Sequence, residues 1–218
     1  LKGELPSKEE GIVFQTALVS SIDHGVTPPS ALATMNATST GAPLNAAVAS
    51  GILAINKSHG GAIEDSMKFF IEAGDFCGKV LDEPKVTEFI NKKLESKYRF
   101  PGLGHRVHTE DPRSTKLAEI CFENLTEEKL FYIKLAKMIE KKIFEIKGTK
   151  LPVNVDGMIG AVLLALDIPG ELANGIFMIS RVPGLIAHYY EEKKTQKPMR
   201  NIDQKSAVYT GKERRSIK

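Results

Sequence analysis

The chain has 218 residues, 42% of them hydrophobic and 26% charged, a composition that suits a globular module with its own core. No apolar run approaches the roughly 20 residues of a membrane-spanning helix, and Cys77 and Cys121 lie too far apart for zinc-ligand spacing or a disulfide framework, so reduced thiols in the cytoplasm are expected. The net charge of +3 is unevenly placed: residues 193–218 carry nine Lys/Arg against two acids, without the aromatic interleaving of a nucleic-acid surface, and read as a solvated basic end.

Helical periodicity dominates, and no series of alternating strands is visible. The opening LKGELPSKEE has neither an initiator methionine nor a signal-peptide pattern, and reads as an internal segment of a soluble protein whose N-terminal part precedes it. Over 9–22, Ile12, Val13, Leu18 and Val19 form a helical stripe that ends at Asp23-His24-Gly25. Thr27-Pro28-Pro29-Ser30 reads as a break. Residues 45–55, NAAVASGILAI, are small and apolar all round, as in a helix buried between neighbours, and their alanines and glycine permit close backbone approach. After Gly60-Gly61, helices are expected over 62–73, 84–97, 113–123, 126–146, 156–167 and 171–190, separated by Pro101-Gly102 with Gly104, Leu151-Pro152 and Pro169-Gly170. Thr126, followed by Glu127 and Glu128, reads as an N-cap with acids in the first turn, opening an amphipathic surface helix.

Four of the five histidines fall in short, glycine-bearing segments: His24 in DHG, His59 in HGGA, and His105 with His108 in GLGHRVHTEDPR. Glycine loops let a ligand approach the backbone closely. His59 precedes a helix start, where its imidazole either stabilises a developing oxyanion or caps the helix. Asp156, in LPVNVDGMIGAVLLAL, is either the N-cap of a strongly apolar helix or a partly desolvated general base. Arg181 interrupts a hydrophobic helix, so it needs either an internal ion pair or a bound carboxylate. His188, further along that helix, reads as packing or surface.

Taken together and in order, DHG, HGGA, G-x-GHRV with DPR, NVDG and SR-x-x-G-x-x-AH resemble the citrate synthase superfamily, including the short citryl-CoA lyases and the C-terminal module of ATP-citrate lyase. The resemblance covers nearly the whole chain. It implies an all-α, two-lobed helical fold, short at its N-terminal side. Residues 1–60 and 166–218 would form the larger lobe and the dimer-forming part, and 61–165 a smaller CoA-binding lobe.

The same resemblance implies chemistry. Asp156 would move the proton on the acetyl carbon, His59 would hydrogen-bond the thioester oxygen as it becomes an enolate, and His105 would act on the oxaloacetate ketone or alkoxide. His24, Arg113 and Arg181 would hold the dicarboxylate, joined by Lys197 or Arg200 in place of an arginine that the family supplies from the partner subunit. Gly102, Gly104 and Arg106 would lie against CoA, and His108 has no implied role.

The implied reaction passes through citryl-CoA, between acetyl-CoA and oxaloacetate. The short stretch before His24 favours a lyase; citrate synthase, 2-methylcitrate synthase and a non-catalytic subunit that binds CoA or citrate are the alternatives. A homodimer with shared active sites is expected, with no metal, no tightly bound cofactor, and no nucleic-acid or membrane partner.

Overall fold

The computed structural model describes residues 3–104, 110–200 and 211. Among these there are nine α-helices and no β-strand: α1 (Lys8–Ser20), α2 (Pro29–Ser39), α3 (Leu44–Leu53), α4 (Ala62–Phe76), α5 (Glu83–Glu95), α6 (Pro112–Asn124), α7 (Phe131–Lys147), α8 (Val155–Ala165) and α9 (Ala173–Thr195). The all-α expectation is therefore met. None of the described helices is long and apolar enough to cross a membrane.

The centre is α8. Nine of its eleven residues are buried, and α4, α6 and α7 pack around it, with α5 against α7. Small residues set how closely α8 sits: a Cβ on Gly160 would lie 2.3 Å from Ser66 Oγ on α4, and one on Gly157 would lie 2.2 Å from Gly102 O. Ile63, Phe70, Leu117, Ile133, Leu135, Ile139, Met158 and Leu163 are almost wholly removed from water, each contributing about 1.5–3 kcal/mol of apolar transfer. A second, thinner group joins α2, α3 and α9 through Ala31, Met35, Ala47 and Leu185. Helix α1 bridges the two groups, packing on α6 and α8 as well as α9.

Several local expectations are corrected. The Pro-Pro break is a helix start: Pro28 is the N-cap and Pro29 the first residue of α2, where a missing N–H costs nothing. Helix α7 begins at Phe131, not at Thr126, whose carbonyl instead accepts from Leu130 N in a preceding turn. In α1 the inward stripe is Val13 and Ala17 with Phe14 and Leu18 packed alongside, while Ile12 and Val19 face out. Within this chain α3 is covered on one side only, by Ala47 and Gly51, and Leu44 and Leu53 are exposed. The close approach expected there is real: a Cβ on Gly51 would lie 2.2 Å from Thr34 Oγ1.

Candidate active site

His59 lies on a tight turn between α3 and α4, closed by paired hydrogen bonds between the backbones of Asn56 and His59, 2.8 Å each way. Gly60 follows at φ +89°, and a Cβ there would meet Ile55 and Phe177 at 2.7–2.8 Å, so glycine is required on both counts. The ring does not cap α4, whose N-cap is Gly61 with no side-chain bond. Its Nε2 instead shares a 2.8 Å hydrogen bond with Ser30 Oγ, and the edge of the ring meets Phe177 at 5.8 Å between centroids. Burial lowers the His59 pKa, and the charges of Arg181 and His24 add to the effect. A neutral imidazole results, suited to donating a hydrogen bond without carrying charge.

Arg181 projects from α9 with only 3% of its surface exposed. The guanidinium lies over Phe177, 4.9 Å from the ring centroid. Its Nε and Nη1 are buried with no hydrogen-bond partner, and among the described residues no ion pair offsets its charge. The internal ion pair considered from sequence is thus not what these residues form. Burial works against the charge of Arg181, while Asp23 and Asp156 support it from longer range. Nε and Nη1 face different edges of the guanidinium, and each leaves a buried donor for a carboxylate oxygen of a ligand.

Asp156 is not the cap of α8. Asn154 is, its Oδ1 accepting from Gly157 N at 3.1 Å. Asp156 sits in the first turn, half-buried, and desolvation pushes its carboxyl above the ordinary carboxylate range even though Arg113 and Arg181 pull the other way. Such a carboxyl holds and returns a proton more readily than a solvated one.

Asn154 also fixes the loop that leads to His105. Its backbone N–H donates to Gly102 O at 3.0 Å and its Nδ2 to Gly104 O at 2.9 Å, while Gly104 N donates to Pro152 O at 2.7 Å. Gly102 and Gly104 have φ of +75° and +89°, so these glycines let the loop backbone lie directly against the start of α8. His105, Arg106 and His108 lie outside the described residues.

On the far side of that loop, Asp111 is 1% exposed and caps α6 through Arg113 N at 3.1 Å. Its Oδ1 and Oδ2 accept from Arg113 Nε and Nη2 at 3.1 and 3.0 Å, and Oδ2 also accepts from Val155 N at 2.9 Å. Burial would raise the Asp111 pKa, but the Arg113 hydrogen bonds and charge and the Val155 N–H outweigh it, and the net shift is downward. Arg113 therefore presents its remaining Nη1, which stands 3.4 Å from His24 Nδ1.

These contacts bring His24, Arg113, Asp156, His59 and Arg181 into one electrostatic neighbourhood. Lys197 and Arg200 are not part of it within the chain. Arg200 Nε donates to the buried Glu192 Oε1 at 3.0 Å, and Met199 N donates to Ser39 O, which ties this segment to the end of α2. Sequence reasoning passed over Ser30, Phe177, Asp111 and the Asp23–His188 pair; the DPR triplet was the one available signal for Asp111. Among the described residues no three His, Cys, Asp or Glu side chains gather as metal ligands.

An imidazole with lowered pKa, a carboxyl with raised pKa and an unpartnered guanidinium in one neighbourhood are groups that acid–base chemistry on an anionic ligand would use. The family model "Citrate synthase, C-terminal domain" matches residues 1–201, and the chain belongs to the citrate synthase family. It is similar to a solved citryl-CoA lyase from Hydrogenobacter thermophilus, at 39% identity and a TM-score of 0.88, covering 100% of this chain and 83% of that one. It is also 32% identical to citrate synthase 2 of Bacillus subtilis over 221 residues, covering all of this chain and 55% of that protein. To the ATP-citrate synthase beta chain protein 1 of Arabidopsis thaliana it is 29% identical over 214 residues, 90% of this chain and 34% of that protein. The chain thus spans between a third and just over half of these two relatives' lengths.

Proposed function

We propose that the chain makes and breaks the carbon–carbon bond between acetyl-CoA and oxaloacetate through citryl-CoA, and that it works as a citryl-CoA lyase. The observation that carries this reading is the buried Arg181 guanidinium, with two N–H groups unpartnered and with both His59 and Asp156 in range of its charge.

In the cleavage direction, Arg181 and the Nη1 edge of Arg113, beside His24, bind the carboxylates of citryl-CoA. His105 takes the proton from the tertiary hydroxyl as the alkoxide becomes a ketone and the carbon–carbon bond breaks. The electron pair of that bond passes into a thioester enolate, whose oxygen accepts a hydrogen bond from His59. Asp156, its proton affinity raised, protonates the enolate carbon, and acetyl-CoA and oxaloacetate leave. Gly102, Gly104 and Arg106 face the CoA. Lys197 or Arg200 supplies a further cation across a dimer, and the exposed apolar side of α3, with Leu44 and Leu53, supports burial against a second copy. Closure of a smaller lobe, 61–165, on a larger one, 1–60 with 166–218, would exclude water from the site.

Likeness supports the lyase: identity and TM-score are 39% and 0.88 to the solved citryl-CoA lyase, against 25% and 0.76 to the citrate synthase from Thermotoga maritima. The likeness to the Bacillus subtilis citrate synthase 2 favours a second reading, condensation followed by thioester hydrolysis. The test is to supply citryl-CoA and measure oxaloacetate, then supply acetyl-CoA with oxaloacetate and measure free thiol. Oxaloacetate from the first without thiol from the second supports the lyase. Rapid thiol release supports the synthase, with propionyl-CoA in place of acetyl-CoA testing a 2-methylcitrate synthase. Inactivity in both assigns a binding role only.

A further inference from the structure

The segment that carries His24 is fastened to α9 at three points spaced four residues apart. Ser180 Oγ donates to Leu18 O, Gly184 lies so close to Ile22 that a Cβ would stand 2.1 Å from its carbonyl oxygen, and His188 Nε2 meets Asp23 Oδ1 at 2.8 Å. Residues four apart share one face of a helix, so the three form a single stripe, with Arg181 beside its first member. His188 is only 6% exposed, and its Nδ1 is 3.6 Å from Glu191 Oε2, too far for a hydrogen bond. The other oxygen of Asp23, Oδ2, accepts from Gly25 N at 2.9 Å, which folds the DHG turn around His24.

Asp23 is also a hazard. Its carboxylate is an anion within electrostatic range of Arg181, whose Nε and Nη1 are the unpartnered donors of the site. A carboxylate free to swing would compete for them with any carboxylate in solution, and intramolecular competitors act at high effective concentration.

We propose that His188 is a positioning residue of the dicarboxylate site: by holding Asp23 it fixes the turn that presents His24 to Arg113 and keeps the Asp23 carboxylate away from Arg181. The inference rests on the reading of Arg181 as the carboxylate-binding group.

Calorimetric titration of the full chain with oxaloacetate, and separately with CoA, tests it. His188→Ala should weaken oxaloacetate by about tenfold and leave CoA within about twofold, because one polar anchor is lost on the dicarboxylate side alone. His188→Gln keeps an N–H donor near the same place and should recover most of the loss. The double variant His188→Ala with Asp23→Asn should also bind oxaloacetate more tightly than His188→Ala alone, since the competing charge is gone while an amide oxygen can still serve Gly25. Unchanged oxaloacetate affinity in His188→Ala, equal losses for both ligands, or a double variant weaker than the single one would overturn the proposal. A native chain that binds no oxaloacetate would remove the reading of Arg181 and this inference with it, a result distinct from native binding that ignores His188.

Discussion

Asp111 and Arg113, two residues apart, form a two-point ion pair whose acid also accepts the first backbone N–H of the helix that carries Asp156. One buried carboxylate therefore ties the DPR element to NVDG and uses up one edge of Arg113. Its removal strands a guanidinium and Val155 N together. Asp111→Ala should cost about 3 kcal/mol in urea unfolding at pH 7. Because its folded pKa is depressed below the usual 3.8, Asp111 contributes stability above that value that is lost as pH falls through the folded pKa. Asp111→Asn should accordingly show a shallower loss of stability between pH 5 and the acid limit than the native chain.

Asp156 behaves in the opposite sense. A carboxyl whose folded pKa is raised contributes its stability below the unfolded value, and that contribution is lost as pH rises through the folded pKa. Above its folded pKa the ionised side chain is thus a burden on the fold, kept for its chemistry. Asp156→Asn should melt no lower than the native chain at pH 7, with the difference shrinking below about pH 4. Its turnover should fall by about a thousandfold. A variant with near-normal turnover would take Asp156 out of the reaction.

Gly157 tests the contact between loop and helix. A methyl group there would sit 2.2 Å from Gly102 O, backbone against backbone, where no flexible side chain can yield. Gly157→Ala should destabilise the fold by about 2–3 kcal/mol and lower turnover beyond what the lost stability explains, because the loop bearing His105 is displaced. Thermal melts together with kcat on the folded fraction separate the two effects.

Much of the fold was legible in the sequence because a 3.6-residue apolar period survives burial on one face, as in α4, α5 and α7. Helix α2 was not, since PSALATMNATS has small polar residues at the positions it buries, Ser30, Thr34 and Thr38. Those residues pack by close approach to α3, not by apolar contrast. Of the candidate site, the ordered motifs marked His24, His59, Arg113, Asp156 and Arg181. What they did not reveal is which side chains hold these in place: Ser30 on His59, Asp111 on Arg113, Asn154 on both loop and helix, and His188 on Asp23. Such supports come from segments up to 165 residues apart, and only the folded chain brings them together.

Arg181→Leu should weaken oxaloacetate by at least about thirtyfold while leaving CoA binding intact, since charge-assisted hydrogen bonds are lost on one ligand only. Equal losses for both ligands would instead indicate a general collapse of the site.

The most direct measurement is a crystal structure of the chain with oxaloacetate bound. The account predicts ligand carboxylate oxygens accepting from Arg181 at Nη1 or Nε at about 2.9 Å, with the rest of the molecule reaching toward His24 and Arg113. A ligand bound elsewhere, with those two N–H groups still unpartnered, would contradict it.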